Sequence, residues 1–93
     1  MPIRVNVPGA LQAFSSGART VQVEHRGGTV RDALRSLANA HPGVVDRVLT
    51  ELGELREHVN VFVGDENCRF MGGLEAPVRD GETLEVVASV SGG

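Results

Sequence analysis

Apolar residues recur along this chain with two different periods. Ile3-Arg4-Val5-Asn6-Val7 alternates apolar and polar, which predicts a half-buried strand with Ile3, Val5 and Val7 on one face. Pro8-Gly9 ends it. Leu11 and Phe14 fall in an irregular stretch that closes at Ser15-Ser16-Gly17. Residues 20–24 alternate again, with Val21 and Val23 inward, and Arg26-Gly27-Gly28 predicts a turn. From Thr29 the period lengthens. Val30, Ala33, Leu34, Leu37 and Ala38 form one apolar stripe at helical spacing, Thr29 is the expected N-cap, and Asp32 sets a negative charge in the first turn. His41-Pro42-Gly43 stops this helix, because Pro42 disfavours helical geometry at the residue before it.

Val44, Val45, Val48 and Leu49 predict a short second helix, and the polar stretch 50–58 a loop. Val59-Asn60-Val61-Phe62-Val63 is the next strand, with its three valines on one side and Asn60 and Phe62 on the other. Gly64-Asp65-Glu66-Asn67 is expected to turn the chain back into a short strand over 68–70. Met71-Gly72-Gly73 is a loop, and 77–81 is a connection with Asp80-Gly81 as its turn signal. The last strand covers 82–87, with Leu84 and Val86 inward.

The predicted order, β-β-α-(short α)-β-β-β and then a tail, implies an α+β fold. The simplest way to cover the helix stripe is a mixed sheet of four to five strands wrapped over one main helix. The first and last strands then lie as parallel neighbours in its middle, which is the β-grasp layout. Residues 1–88 form the expected domain and 89–93 a flexible C-terminal tail.

Composition narrows the function. Ninety-three residues make one domain with little room for a deep cleft. A net charge of −3 argues against nucleic-acid binding, and no apolar run is long enough to span a bilayer. The N-terminal MPIRVNVPG lacks the plan of a secretory signal, so a cytoplasmic location is expected. A single cysteine excludes an internal disulfide. All nine basic residues are arginine, so the chain carries no side-chain amine.

The remaining chemistry concentrates at the end, in Ser89-Val90-Ser91-Gly92-Gly93. Val59-Asn60 to Val63 fits a VN-x-x-V strand, Arg69 to Leu74 an R-F-x-G-G-L loop, Asp80-Gly81-Glu82 a D-G-[DE] turn, and Val90 to Gly93 a V-x-G-G terminus. Together, and in this order, they resemble the ubiquitin-like sulfur-carrier proteins of the ThiS, MoaD and CysO types. The R-F-x-G-G-L element is most similar to the CysO type, the carrier of cysteine biosynthesis. One departure is that Ala88-Ser89 stand before Val90 where such carriers often have a proline.

The resemblance implies a protein co-substrate and not an enzyme, with no catalytic residue and no bound cofactor. ATP is used by an E1-like adenylating partner, which activates the carboxylate of Gly93. Sulfur then displaces AMP to leave a thiocarboxylate, which a second enzyme, a sulfur-accepting synthase, consumes. Gly92 and Gly93 are the implied reacting segment. Without a Cβ they can thread a narrow channel and turn at the reacting carbon. Val90 and Ser91 are expected to contact the partner, and the carrier alone is expected to be a monomer.

On the strand alternation Phe62 and Val87 point away from the helix. Apolar residues on an uncovered sheet face often mark a partner site, so these two are expected either to dock the activating enzyme or to pack under a loop. Other residues carry less. Cys68 has no activating neighbour except Arg69 and reads as a structural thiol. His25, His41 and His58 lack ligand spacing, so no metal site is expected. Gly27-Gly28 and Gly72-Gly73 read as turn glycines, since no P-loop lysine follows them. Glu51, Glu54 and Glu57 read as a solvated face. Two alternatives stay open beside the carrier: a ubiquitin-like modifier joined to lysines of other proteins through Gly93, and a non-catalytic β-grasp binding module.

Overall fold

The computed structural model describes residues 2–24 and 27–88. In chain order the elements are β1 (Ile3–Asn6), a 3₁₀ segment (Gly9–Ser15), β2 (Thr20–Val23), β3 (Gly28–Thr29), α1 (Val30–Ala40) and α2 (Pro42–Val48). There follow β4 (Val59–Val63), β5 (Glu66–Asn67), 3₁₀ segments at Cys68–Phe70 and Gly73–Glu75, β6 (Pro77–Val78) and β7 (Thr83–Ala88). A five-stranded mixed sheet runs β2-β1-β7-β4-β5, and β3 and β6 form a separate two-stranded ladder. This is the ubiquitin-like β-grasp.

The register explains the core. β7 lies parallel to β1, with Val5 opposite Leu84, and antiparallel to β4, with Val61 opposite Val86. The inward residues Ile3, Val5, Val61 and Leu84 lose all exposure, and they meet Val30, Ala33, Leu34 and Leu37 of α1, which lose all of theirs. Helix α1 starts where the sequence places its cap. The Thr29 side chain accepts from the Asp32 N–H, and the Asp32 carboxylate accepts from the Thr29 N–H at 3.0 Å. Gly28 is needed beside this box: its φ is +136°, and a Cβ there would come within 2.5 Å of the Asp32 carboxylate. The proline that stops α1 also starts α2, at the first-turn position where its missing N–H is not required.

Four local expectations are corrected. The irregular stretch around Leu11 and Phe14 is a 3₁₀ segment, anchored by the buried Leu11. The strand expected over 68–70 is instead β5 at Glu66–Asn67. Gly64, at φ +60°, tightens the turn to two residues, so Val63 pairs with Glu66. The Asn67 carboxamide then accepts the Arg69 N–H at 3.0 Å and bends Cys68–Phe70 into a 3₁₀ turn. The connection expected over 77–81 contains β6, whose Pro77 lies opposite Thr29. The last strand runs to Ala88 rather than stopping at Val87.

Candidate functional site

Central strand β7 carries the chain from the core towards the terminal segment. Its ladder with β1 ends at Glu85, opposite Asn6, whereas its ladder with β4 continues to Ala88, opposite Val59. The described part of β7 thus ends beside the start of β4. Gly92 and Gly93, and with them Val90 and Ser91, lie outside the described residues.

Beside this end of β7 lies the sheet face that α1 leaves uncovered. Phe62 and Val87 both project from it, as the alternation predicts. Val87 is exposed and Phe62 is half-buried. Phe62 pairs with Glu85, and Val87 with Asn60. A shallow depression joins Asn6, Phe62, Asp65, Thr83, Glu85 and Val87. Two apolar side chains thus sit among amides, a hydroxyl and two carboxylates, and among the described residues Val87 stays exposed. That composition suits recognition of another surface.

One edge of this face is closed by Arg69. Its Nε donates to Asn60 Oδ1 at 2.9 Å, and its Nη2 donates to the carbonyls of Val59 and Arg56, each at 2.8 Å. Asn67 Nδ2 donates to the same Asn60 oxygen at 3.2 Å. Sequence reasoning sees Arg69 only as a letter in a motif, because its backbone acceptors lie ten and thirteen positions earlier. It also misses two exposed apolar residues, Leu52 and Phe70, at 85% and 88% exposure. The R-F-x-G-G-L loop turns at Gly72 and Gly73, whose φ angles of +101° and +69° suit glycine and account for the pair as turn residues.

Cys68 is fully buried. Burial raises its thiol above the ordinary value of 9.0, and hydrogen bonding at the Val61 backbone and the charge of Arg69 only partly oppose this. It is a structural thiol. Among the described residues no group of three or more His, Cys, Asp and Glu side chains could hold a metal, and no helix is long and apolar enough to cross a membrane. Glu51, Glu54 and Glu57 are exposed, as a solvated face requires.

Comparison with known proteins agrees with this geometry. Residues 5–93 match the model of the ThiS family. The chain is 30% identical to the sulfur carrier protein CysO of Mycobacterium tuberculosis, over the whole of both chains. It is 39% identical to small archaeal modifier protein 1 of Haloferax volcanii, over 84% of this chain and 86% of that one. In three dimensions it superposes on a chain of the crystal structure of the Amycolatopsis orientalis BexX/CysO complex with a TM-score of 0.88, at 35% identity, covering 98% of this chain and 99% of that one. The chain belongs to the ThiS family, small ubiquitin-like sulfur-carrier proteins that are not themselves catalysts.

Proposed function

We propose that this protein carries sulfur on the carboxyl group of Gly93. A carboxylate is a poor electrophile, so it must first be given a leaving group. An E1-like partner supplies one: a Gly93 carboxylate oxygen attacks the α-phosphorus of ATP and expels pyrophosphate. A sulfide-level sulfur nucleophile then attacks the acyl carbon, AMP departs, and a thiocarboxylate remains. A sulfur-accepting synthase takes the sulfur into cysteine or another sulfur-containing metabolite in the cytoplasm. No side chain of this protein enters these steps, and its residues bind and present. Phe62 and Val87 supply the apolar centre of the docking patch. Asp65 and Glu85 beside them favour a partner surface that sets basic groups around an apolar one. Val90 and Ser91 extend the contact towards the reacting end.

The observation that carries this reading is the end-to-end match with a sulfur carrier of the CysO type, which includes Gly92 and Gly93. The test is intact-mass measurement after incubation with ATP, a sulfide donor and the adenylating enzymes of the source organism. The mass should rise by the replacement of one oxygen with sulfur, and protein lacking Gly92-Gly93 should show no change. An unaltered mass with every such enzyme rejects the proposal. The likeness to small archaeal modifier protein 1 favours a second reading, attachment through Gly93 to lysines of other proteins. Higher-mass conjugates in cell extracts would support it. Since the chain has no lysine, lysine-linked chains of this protein cannot form.

A further inference from the structure

The last three residues of β7 are held differently from the first three. Leu84 and Glu85 have β1 on one side and β4 on the other, and Thr83 has β1 and the Gly64 N–H, whereas among the described residues Val86, Val87 and Ala88 have a ladder with β4 alone. Whatever steadies the start of β4 therefore steadies the end of β7. The backbone pattern shows what that is. Gly64 donates to the Thr83 carbonyl at 3.0 Å, so by antiparallel alternation Phe62 and Asn60 bond to β7, while Val59, Val61 and Val63 turn their backbone groups to the far side. There β5 serves Val63 and is only two residues long. Among the described residues no strand lies against Val59 on that far side.

The Arg69 guanidinium occupies that place. Its fork takes the Val59 and Arg56 carbonyls and the Asn60 side-chain oxygen. Arg56 in turn donates through Nη2 to the Asp46 carbonyl of α2 at 2.9 Å. The start of β4 is thus tied through one planar cation to the loop before it and, through that loop, to the second helix. A fork with fixed donor directions can hold several acceptors at once, which a lysine ammonium on a flexible stem does less well.

We infer that Arg69 is a positioning residue: its grip on Arg56, Val59 and Asn60 fixes the strand end against which Ala88 pairs, and so sets the direction in which the chain leaves the sheet towards Gly92-Gly93. The inference rests on the carrier reading above, because only an activated terminus makes that direction matter. Docking and presentation then belong to different residues. Phe62 and Val87 govern how tightly the partner holds the domain, and Arg69 governs how often a bound domain delivers its end group to the nucleotide.

The test compares Arg69→Gln and Arg69→Lys with the wild type at a temperature where circular dichroism shows all three folded. Hydrogen exchange at the Asn60 and Val87 amides should quicken about tenfold in both variants, with Val5 in β1 unchanged. In steady-state adenylation, kcat should fall about tenfold with KM for the carrier within about twofold, since a displaced reacting group lowers the productive fraction of complexes. Asn60→Ala, which leaves both carbonyl contacts of Arg69 intact, should give a smaller fall. Unchanged exchange in the glutamine variant overturns the inference, and so does faster exchange with wild-type kcat. A wild-type protein that no enzyme adenylates overturns the carrier reading, which separates the two failures.

Discussion

The two faces of the sheet are built from alternate residues of the same strands, yet they obey opposite rules. On the covered face Val5, Val61 and Leu84 are fully buried against α1. On the open face, one position along each strand, stand Asn6, Phe62 and Glu85, which pack against no helix. The covered face makes the domain stable, and the open face can vary without unfolding it. In a chain this small, burial and recognition can be kept apart in no other way, because there is no second core to spare.

The sharpest test of that division sets neighbours in β7 against each other. Leu84→Ala should lower unfolding free energy by about 3 kcal/mol in urea titration, since it opens a cavity at the sheet centre. Val87→Ala should cost under about 0.5 kcal/mol. Equal losses at both sites would mean that the open face is part of the core.

Phe62→Thr sharpens the same comparison from the side of function. An aspartate here would set a second carboxylate opposite Glu85, so threonine, a good strand former, is the cleaner probe. It should raise KM for the activating enzyme about tenfold with little change in kcat, the reverse of the split expected for Arg69. A Phe62 that only filled a surface gap would leave KM where it was.

The smallest effect concerns pH. With its folded-state pKa raised, Cys68 keeps its proton in the folded protein at a pH where the unfolded chain has lost it. This contribution is complete below 9.0 and is lost as pH rises above that value. The urea midpoint of the wild type should therefore decline more steeply above pH 9.0 than that of Cys68→Ala, with any common alkaline trend cancelling between them.

Elements that could be read directly are those whose signal is local. The stripe from Val30 to Leu37, with Thr29 as cap and Asp32 as first-turn charge, defines α1 within a dozen residues, and the alternation of β1, β4 and β7 assigns every inward valine to its face. β5 and β6 escape such reading because two residues have no period. Glu66–Asn67 is a strand only because Gly64 folds it back onto Val63, and Pro77–Val78 only because Gly28–Thr29 lies beside it. The open-face pair Phe62 and Val87 follows from alternation. The role of Arg69 does not, because it depends on which carbonyls β4 leaves without a neighbouring strand. No pattern of side chains records that.

The parallel pairing of β1 with β7 has a consequence for how the molecule comes into being. Residues 4–6 find their central partner at residues 83–85, so this sheet cannot close until nearly the whole polypeptide is available. Closing so long a loop is entropically costly and slow. During synthesis β1 and β2 can form a hairpin early, but the middle of the sheet stays vacant until β7 has cleared the ribosome. The segment that completes the fold is thus the last one described before the C-terminal residues, and a chain broken off before it would be left with an open, aggregation-prone sheet instead of a folded domain.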